Sequence, residues 1–149
     1  MDSPYTQSLL LYAYQASARA LVETLQARGH PVIRPKHGAV FANIDRQGTR
    51  SSVLAERAGI GKAAMGELVD ELERLGYVRR EPDPSDRRAK LVLPLDAAVR
   101  VTEIVHEFNK RMETAYRELL GEEAYRTLRA ALQAIAPSDG MQPRLPPNA

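Results

Sequence analysis

Between Arg79 and Lys90 five basic side chains, Arg79, Arg80, Arg87, Arg88 and Lys90, stand against three acidic ones, Glu81, Asp83 and Asp86. Arg46, Arg50, Arg57 and Lys62 extend the same basic neighbourhood upstream. Guanidinium and ammonium groups at this density bind anions, phosphodiester oxygens above all. The 149-residue chain carries a net charge of only +2, with a pI near 9.0, so the signal lies in how the charges are distributed. Bond-making chemistry has far less support. His30, His37 and His106 are isolated, Ser-His-Asp and glycine-rich phosphate-loop patterns are missing, and Glu67, Asp70, Glu71 and Glu73 fall at solvent-facing helix spacings. We therefore expect neither an enzyme nor a cofactor. His30 and His37 flank two prolines in HPVIRPKH, but a third ligand is missing and a connector between helices explains the run, so no metal site is assigned. A chain without cysteine excludes disulfides, thiolate metal sites and thiol redox sensing together.

These basic residues need a scaffold to position them. From Ser51 onward, Leu54, Ala58, Ile60, Met65 and Leu68 recur where two crossing helices would share a small core. Ala55 falls at the crossing, where a larger side chain would push the backbones apart. Gly59 falls at the turn, where a left-handed backbone needs a residue without a Cβ. That is a helix-turn-helix pattern. The second helix is predicted from Lys62 to Leu75, with Gly61 at its N-cap and Gly76 as its stop. Tyr77 to Glu81 then reads as a strand and Pro82 to Asp86 as a turn. Ala89 to Leu93 is the return strand, with Leu91 and Leu93 on one face and Lys90 and Val92 on the other. The result is an arginine-tipped β-hairpin wing behind a helix-turn-helix.

The flanks explain how such a module would be held. From Ser8 to about Arg28, Leu10, Tyr14, Leu21 and Leu25 form one helical stripe and Leu9, Ala13, Ala16 and Ala20 a second. Ser3-Pro4 could start this helix, and Gly29 would end it. Val101, Val105, Phe108, Met112, Ala115 and Leu119 repeat at alternating spacings of four and three, the seam of a long helix packed nearly parallel to another. Gly121 breaks that helix, and Leu128, Ala131, Leu132 and Ile135 give the last one its own face. A single such stripe is usually ordinary core. Together, the first and last helices carry more apolar surface than a chain of this size could cover alone, so a homodimer is expected. No apolar run approaches ~18 residues, and no basic stretch followed by an apolar one opens the chain, so the expected compartment is the cytoplasm, at the nucleoid, with no membrane partner. The proline-rich PSDGMQPRLPPNA should form a poorly structured extension.

The run LVDELERLGYVRREPDPSDRRAKLVL, Leu68 to Leu93, resembles the core signature of the MarR family of winged-helix transcriptional regulators. It includes a D-P-x-D-R-R wing tip at Asp83, Pro84, Asp86, Arg87 and Arg88. One long and one shorter helix before the motif, and two long helices after it, match the same layout. The resemblance implies a mainly α fold with a small β-wing, a winged helix-turn-helix domain at 35–95, and a helical dimerisation region at 1–30 and 96–137. The proline-rich tail occupies 138–149. It also implies an obligate homodimer whose subunits interlock through Leu9 to Leu25 and Val105 to Ile135. Two-fold symmetry would place two recognition helices about one DNA turn apart, ~34 Å, over a palindromic operator. The function so implied is sequence-specific binding of double-stranded DNA, as a repressor released by a small aromatic or acidic effector.

Carried onto this chain, the resemblance makes Lys62, Ala63, Ala64, Gly66 and Glu67 the reading surface and Arg50, Ser51 and Arg57 the contacts to the DNA backbone. In the wing, Arg88 would enter the minor groove, Asp86 would brace it by a charge-assisted bond, Arg87 would take phosphate or share the groove, and Lys90 would add charge. Many relatives carry hydroxyl residues at the places of Ala63, Ala64 and Gly66 and an arginine at that of Glu67. Such a sparse face admits two readings of Glu67: acceptance from cytosine N4, or pairing with a nearby arginine. Gly66 should cost about 1 kcal/mol against alanine inside a helix. Specificity would then lean on the wing, giving strong salt sensitivity and a preference for A·T-rich flanks. By position, Tyr12, His37, Phe41 and Phe108 could line an effector pocket, although Phe41 and Phe108, taken singly, suit a core better. Leu93-Pro94-Leu95-Asp96 replaces the family's usual Leu-Thr helix start, leaving Asp96 as the expected cap. A winged-helix dimer acting through protein contacts, or a weakly selective architectural binder, would share this pattern.

Overall fold

In the computed structural model, residues 4–136 are described, so Ser3 and the tail at 138–149 lie outside. Helix α1 runs Thr6–Ala27, with Tyr5 rather than Ser3 or Pro4 at its N-cap. A 3-10 turn at Pro35–His37 leads into the one-turn helix α2, Gly38–Phe41. The two-residue strand β1, Thr49–Arg50, runs directly into α3, Ser51–Ala58, and α4 follows at Lys62–Arg74. Strands β2 (Val78–Asp83) and β3 (Asp86–Pro94) form the wing. The long helix α5, Asp96–Leu120, and α6, Glu122–Ile135, complete a mainly helical fold with one small sheet.

The helix-turn-helix closes for the reasons its residue types suggest. Gly59 adopts φ +65°, and the Ile60 N–H returns to the Ala55 carbonyl at 3.1 Å, so the chain reverses without strain. Leu54, Ala55, Met65, Val69 and Leu72 are buried at the crossing. Each of the large ones contributes about 1.5–3 kcal/mol by leaving water. The Tyr77 N–H then donates to the Leu72 carbonyl at 2.9 Å and aims the chain into β2.

The sheet is three-stranded and antiparallel, in the order β1-β3-β2. β1 escapes a sequence reading because two residues carry no alternation; it pairs Thr49 with Val92 and Arg50 with Leu91. Val78 and Val92 turn into the core. Leu91 and Leu93 lie half-buried on the other face against Gly48, where φ is +94° and an added Cβ would come within 3.1 Å of both side chains. The expected turn at Pro82 to Asp86 proves shorter: Asp83 pairs with Asp86, leaving only Pro84 and Ser85 between strands. Pro82 pairs with Lys90, so the register breaks between Pro82 and Asp83, and Arg87, Arg88 and Ala89 have no opposite residues. A bulge of this kind bends the strand and turns its side chains away from the ladder.

Helix α5 begins one residue before its expected cap's role. Leu95 is the N-cap, its carbonyl accepting from Ala98 and Val99, whereas Asp96 is the first helical residue and meets the positive end of the helix dipole. Ala98, Val101, Ile104 and Phe108 are buried, and the first three, together with Leu25, Ile33, Val40 and Phe41, roof the helix-turn-helix core. Farther out the apolar surface stays open. Leu9, Leu10, Leu11, Tyr12 and Tyr14 of α1, and Leu128, Leu132 and Ile135 of α6, are exposed.

Candidate nucleic-acid interface

Met65, Val69 and Leu72 fix which way α4 faces. Lys62, Ala63, Ala64 and Glu67 point outward, and Gly66 is half-buried at the margin. Beside this face stands the wing, where Arg87, Arg88 and Lys90 are exposed on β3. Helix α4 and the wing are joined through β2, whose Arg80 reaches Asp70 and Glu73 of α4.

Ion pairs hold that surface rigid and remove several candidate contacts from it. Arg50 donates from Nε to Asp83 Oδ2 at 2.7 Å, and its Nη2 lies 2.6 Å from the same oxygen. The other Asp83 oxygen accepts the Ser85 N–H at 2.8 Å and the Ser85 hydroxyl at 2.7 Å. These donors, Ser85 first and then Arg50, hold the nearly buried Asp83 carboxyl down at about 2. Arg57 donates to the Asn43 carbonyl at 2.7 Å and to Asp45 at 2.9 Å, and its hydrogen bond lowers the Asp45 pKa. Arg50 and Arg57, expected on phosphates, thus already have carboxylate partners, while Ser51 is the half-buried first residue of α3.

On β2, Arg80 forks onto α4. Its Nη1 donates to Glu73 and its Nη2 to Asp70, each at 2.6 Å, and the Arg80 N–H also reaches Glu73. Arg79 pairs with Glu81 at 2.9 Å. Of the nine basic side chains between Arg46 and Lys90 named at the outset, Arg50, Arg57, Arg79 and Arg80 are paired, and Arg46, Lys62, Arg87, Arg88 and Lys90 take no carboxylate partner among the described residues, so these five remain to meet an anion. The expected brace of Asp86 on the Arg88 guanidinium is corrected. Asp86 Oδ1 instead accepts the Arg88 backbone N–H at 3.1 Å and its other oxygen lies 3.6 Å from Arg50, so it shapes the bulge and leaves the guanidinium free.

A cavity of about 280 Å³ lies between α1, the 3-10 turn, α2 and α5. Leu21, Leu25, Ile33, Phe41, Val101 and Val105 give it an apolar wall, and Arg34, Thr102, His106 and Asn109 supply polar groups. Of the four residues expected to line a pocket, Phe41 does so. Tyr12 is exposed on α1, Phe108 is buried outside the cavity lining, and His37, the last residue of the 3-10 turn, is fully buried and outside that lining too. His37 Nδ1 accepts the Arg34 N–H at 3.0 Å, and its Nε2 faces Glu71 of α4 at 3.4 Å, too long for a good hydrogen bond. Burial lowers the His37 pKa in spite of Glu71. His30 contacts the Tyr77 hydroxyl at 2.9 Å and is likewise lowered, by burial and by Arg100 and Arg28.

The bracing roles of Asp83, Asp70 and Glu73, and the places of Arg34 and His106 in the cavity wall, were not legible in the sequence, because Arg50, Arg80 and the other cavity walls lie on other elements. Among the described residues no three His, Asp or Glu side chains converge as metal ligands, and no helix is long and apolar enough to cross a membrane.

Residues 33–89 match a family model described as MarR family. The chain is 36% identical over 59 residues to the transcriptional regulator HosA of Escherichia coli O111:H-, a match covering 40% of this chain and 44% of that protein. It therefore spans under half the length of this curated relative. Its fold superposes on wild-type MarR from E. coli in the apo form with a TM-score of 0.66 at 22% identity, covering 91% of this chain and all of that one. It also superposes on CouR from Rhodococcus jostii RHA1, described as bound to p-coumaroyl-CoA, with a TM-score of 0.64 at 26% identity, covering 85% of this chain and 88% of that one.

Proposed function

We propose that this chain, whose residues 33–89 match the MarR family model, is a MarR-type transcriptional repressor that binds palindromic DNA as a homodimer and is released by a small effector. One observation carries the reading. The bulged wing holds Arg87, Arg88 and Lys90 unneutralised beside the exposed face of α4, while nearby arginines are consumed in bracing that surface. Arg88 would enter the minor groove, Arg87 and Lys90 would meet phosphates, and the small residues of α4 would enter the major groove. Affinity resting on phosphates falls steeply with salt.

The uncovered apolar faces of α1 and α6 support the dimer, since a second copy offers the same faces by two-fold symmetry. The cavity beside α2 supports an effector with an apolar or aromatic body and an acidic group that Arg34 or His106 could meet. CouR's ligand offers a precedent for a small-molecule partner. Such a ligand would change the spacing of the two reading helices by shifting the population between dimer arrangements. The compartment consistent with this role is the cytoplasm, at the nucleoid.

Selection from a randomised duplex pool, with a genomic footprint in the cell of origin, tests the proposal. A few palindromic sites are expected, bound by a species of twice the 16.5 kDa chain mass in sedimentation. Broad A·T-biased coverage would replace repression with an architectural role, and no enrichment would leave protein contacts as the function.

A further inference from the structure

Helix α4 carries four carboxylates, Glu67, Asp70, Glu71 and Glu73. Three are paired from neighbouring elements: Arg80 holds Asp70 and Glu73 at 2.6 Å each, and Lys36 holds Glu71 at 2.5 Å. Glu67 differs. Among the described residues it has no Lys or Arg partner, and the positions three and four away along the helix are Ala63, Ala64, Asp70 and Glu71, none of them basic. The pairing of Glu67 with a nearby arginine, one of its two sequence-based readings, is not made.

The surroundings of this lone carboxylate are unusually bare. Ala63 and Ala64 are exposed, and a Cβ added to Gly66 would meet nothing within 4 Å. No packing demand within the chain explains a glycine there, although it weakens the helix by about 1 kcal/mol against alanine. The pattern suits a helix that seats closely on another surface with one acidic side chain reaching into it.

Resting on the DNA-binding reading above, we propose that Glu67 is the base-reading residue of α4 and that it selects cytosine. In the major groove an acid can accept only from an exocyclic amino group. Guanine presents O6 and N7 and thymine presents O4, all acceptors that repel a carboxylate. Adenine presents its N6 amino group beside the N7 acceptor, which suits an amide better than an acid. Cytosine N4 is the donor without an adjacent acceptor on its own edge. Glu67 thus works as much by rejecting the other bases as by accepting one.

The test uses full-length protein and the duplex pool already named, followed by anisotropy titrations of the selected duplex with each half-site position varied in turn. Wild type should show one C·G pair per half-site whose replacement weakens binding by about 5- to 150-fold. Glu67→Ala should bring the four bases at that pair to within about twofold while other positions keep their ranking. Glu67→Gln should move the preference there to adenine, which an amide can grip at N6 and N7. Thermal melts of both variants should match wild type, since the side chain is exposed and unpaired. An unchanged base profile in Glu67→Ala, or selected sites without a conserved cytosine, overturns the proposal while leaving DNA binding intact. A pool that wild type fails to enrich overturns both this proposal and the DNA-binding reading beneath it.

Discussion

Replacing Gly66 by alanine should stabilise this protein and weaken its grip on DNA in one step. Gly66 is the fifth of thirteen residues in α4, more than a turn from the N-terminus of that helix. The stability gain is therefore the full interior difference between glycine and alanine, about 0.8–1.0 kcal/mol. No clash offsets it, because the new methyl meets nothing within 4 Å. For a chain of this size the gain raises the melting temperature by roughly 2–4 °C. On DNA the same methyl fills space that the proposed close approach requires. Forcing a methyl into a packed contact costs about 1–3 kcal/mol, an affinity loss of about 5- to 150-fold. Circular-dichroism melts at matched protein concentration and anisotropy titrations of the selected duplex measure the two effects separately. A lower melting temperature would refute the openness of the site. A higher melting temperature with unchanged affinity would refute the close approach of α4 to DNA at this residue.

Arg88→Ala should weaken operator binding by about tenfold or more without lowering the melting temperature, whereas Arg50→Ala should lower both, because Arg50 holds Asp83 and the wing tip; mobility-shift titrations beside thermal melts separate them, and equal behaviour would contradict the division of roles. The carboxyl of Asp83 is lowered from 3.8 to about 2, so its contribution is complete above pH ~4 and lost as pH falls toward 2. The Ser85 amide resonance should therefore stay constant from neutrality to pH ~4 and move only below it, while Asp83→Asn should shift it already at neutral pH. His30 and His37 are held below their ordinary 6.5 when folded, so the unfolded chain binds more protons and stability should fall as pH drops below ~6.5. Urea midpoints at pH 7.5 and 5.5 report this, and equal midpoints would contradict the buried neutral state of both rings.

The helix-turn-helix was legible because its determinants are local. Gly59, Ala55 and the apolar positions from Leu54 to Leu68 fix the turn within a few residues of chain, and the observed α4 ends one residue short of the expected Leu75. The wing was legible in outline. Its true turn was not, because the bulge at Arg87 to Ala89 depends on Asp83 gathering Ser85 and Arg50, and Arg50 lies 33 residues away in the chain. The carboxylates that Arg50 and Arg57 meet lie 33 and 12 residues away in the chain, so neither pairing shows in the local sequence. A basic residue near a DNA-binding motif looks like a phosphate contact until its carboxylate is seen. Phe41 fell into the cavity and Phe108 did not because helical spacing identifies a buried face without saying which buried residues border a void.

Arg80 locks the wing to α4, and Arg50 locks the wing tip to the strand that becomes α3. In the DNA-binding role proposed here, the two groove-reading parts keep a fixed angle and cannot search independently. Successive base pairs rotate by roughly 34–36° along duplex DNA. A braced module therefore engages both grooves only when the minor-groove site lies in the correct helical phase from the major-groove one. Inserting or deleting a single base pair between them would break the fit, and under- or overwinding the duplex would detune it, which makes the occupancy of such a site a readout of DNA torsion.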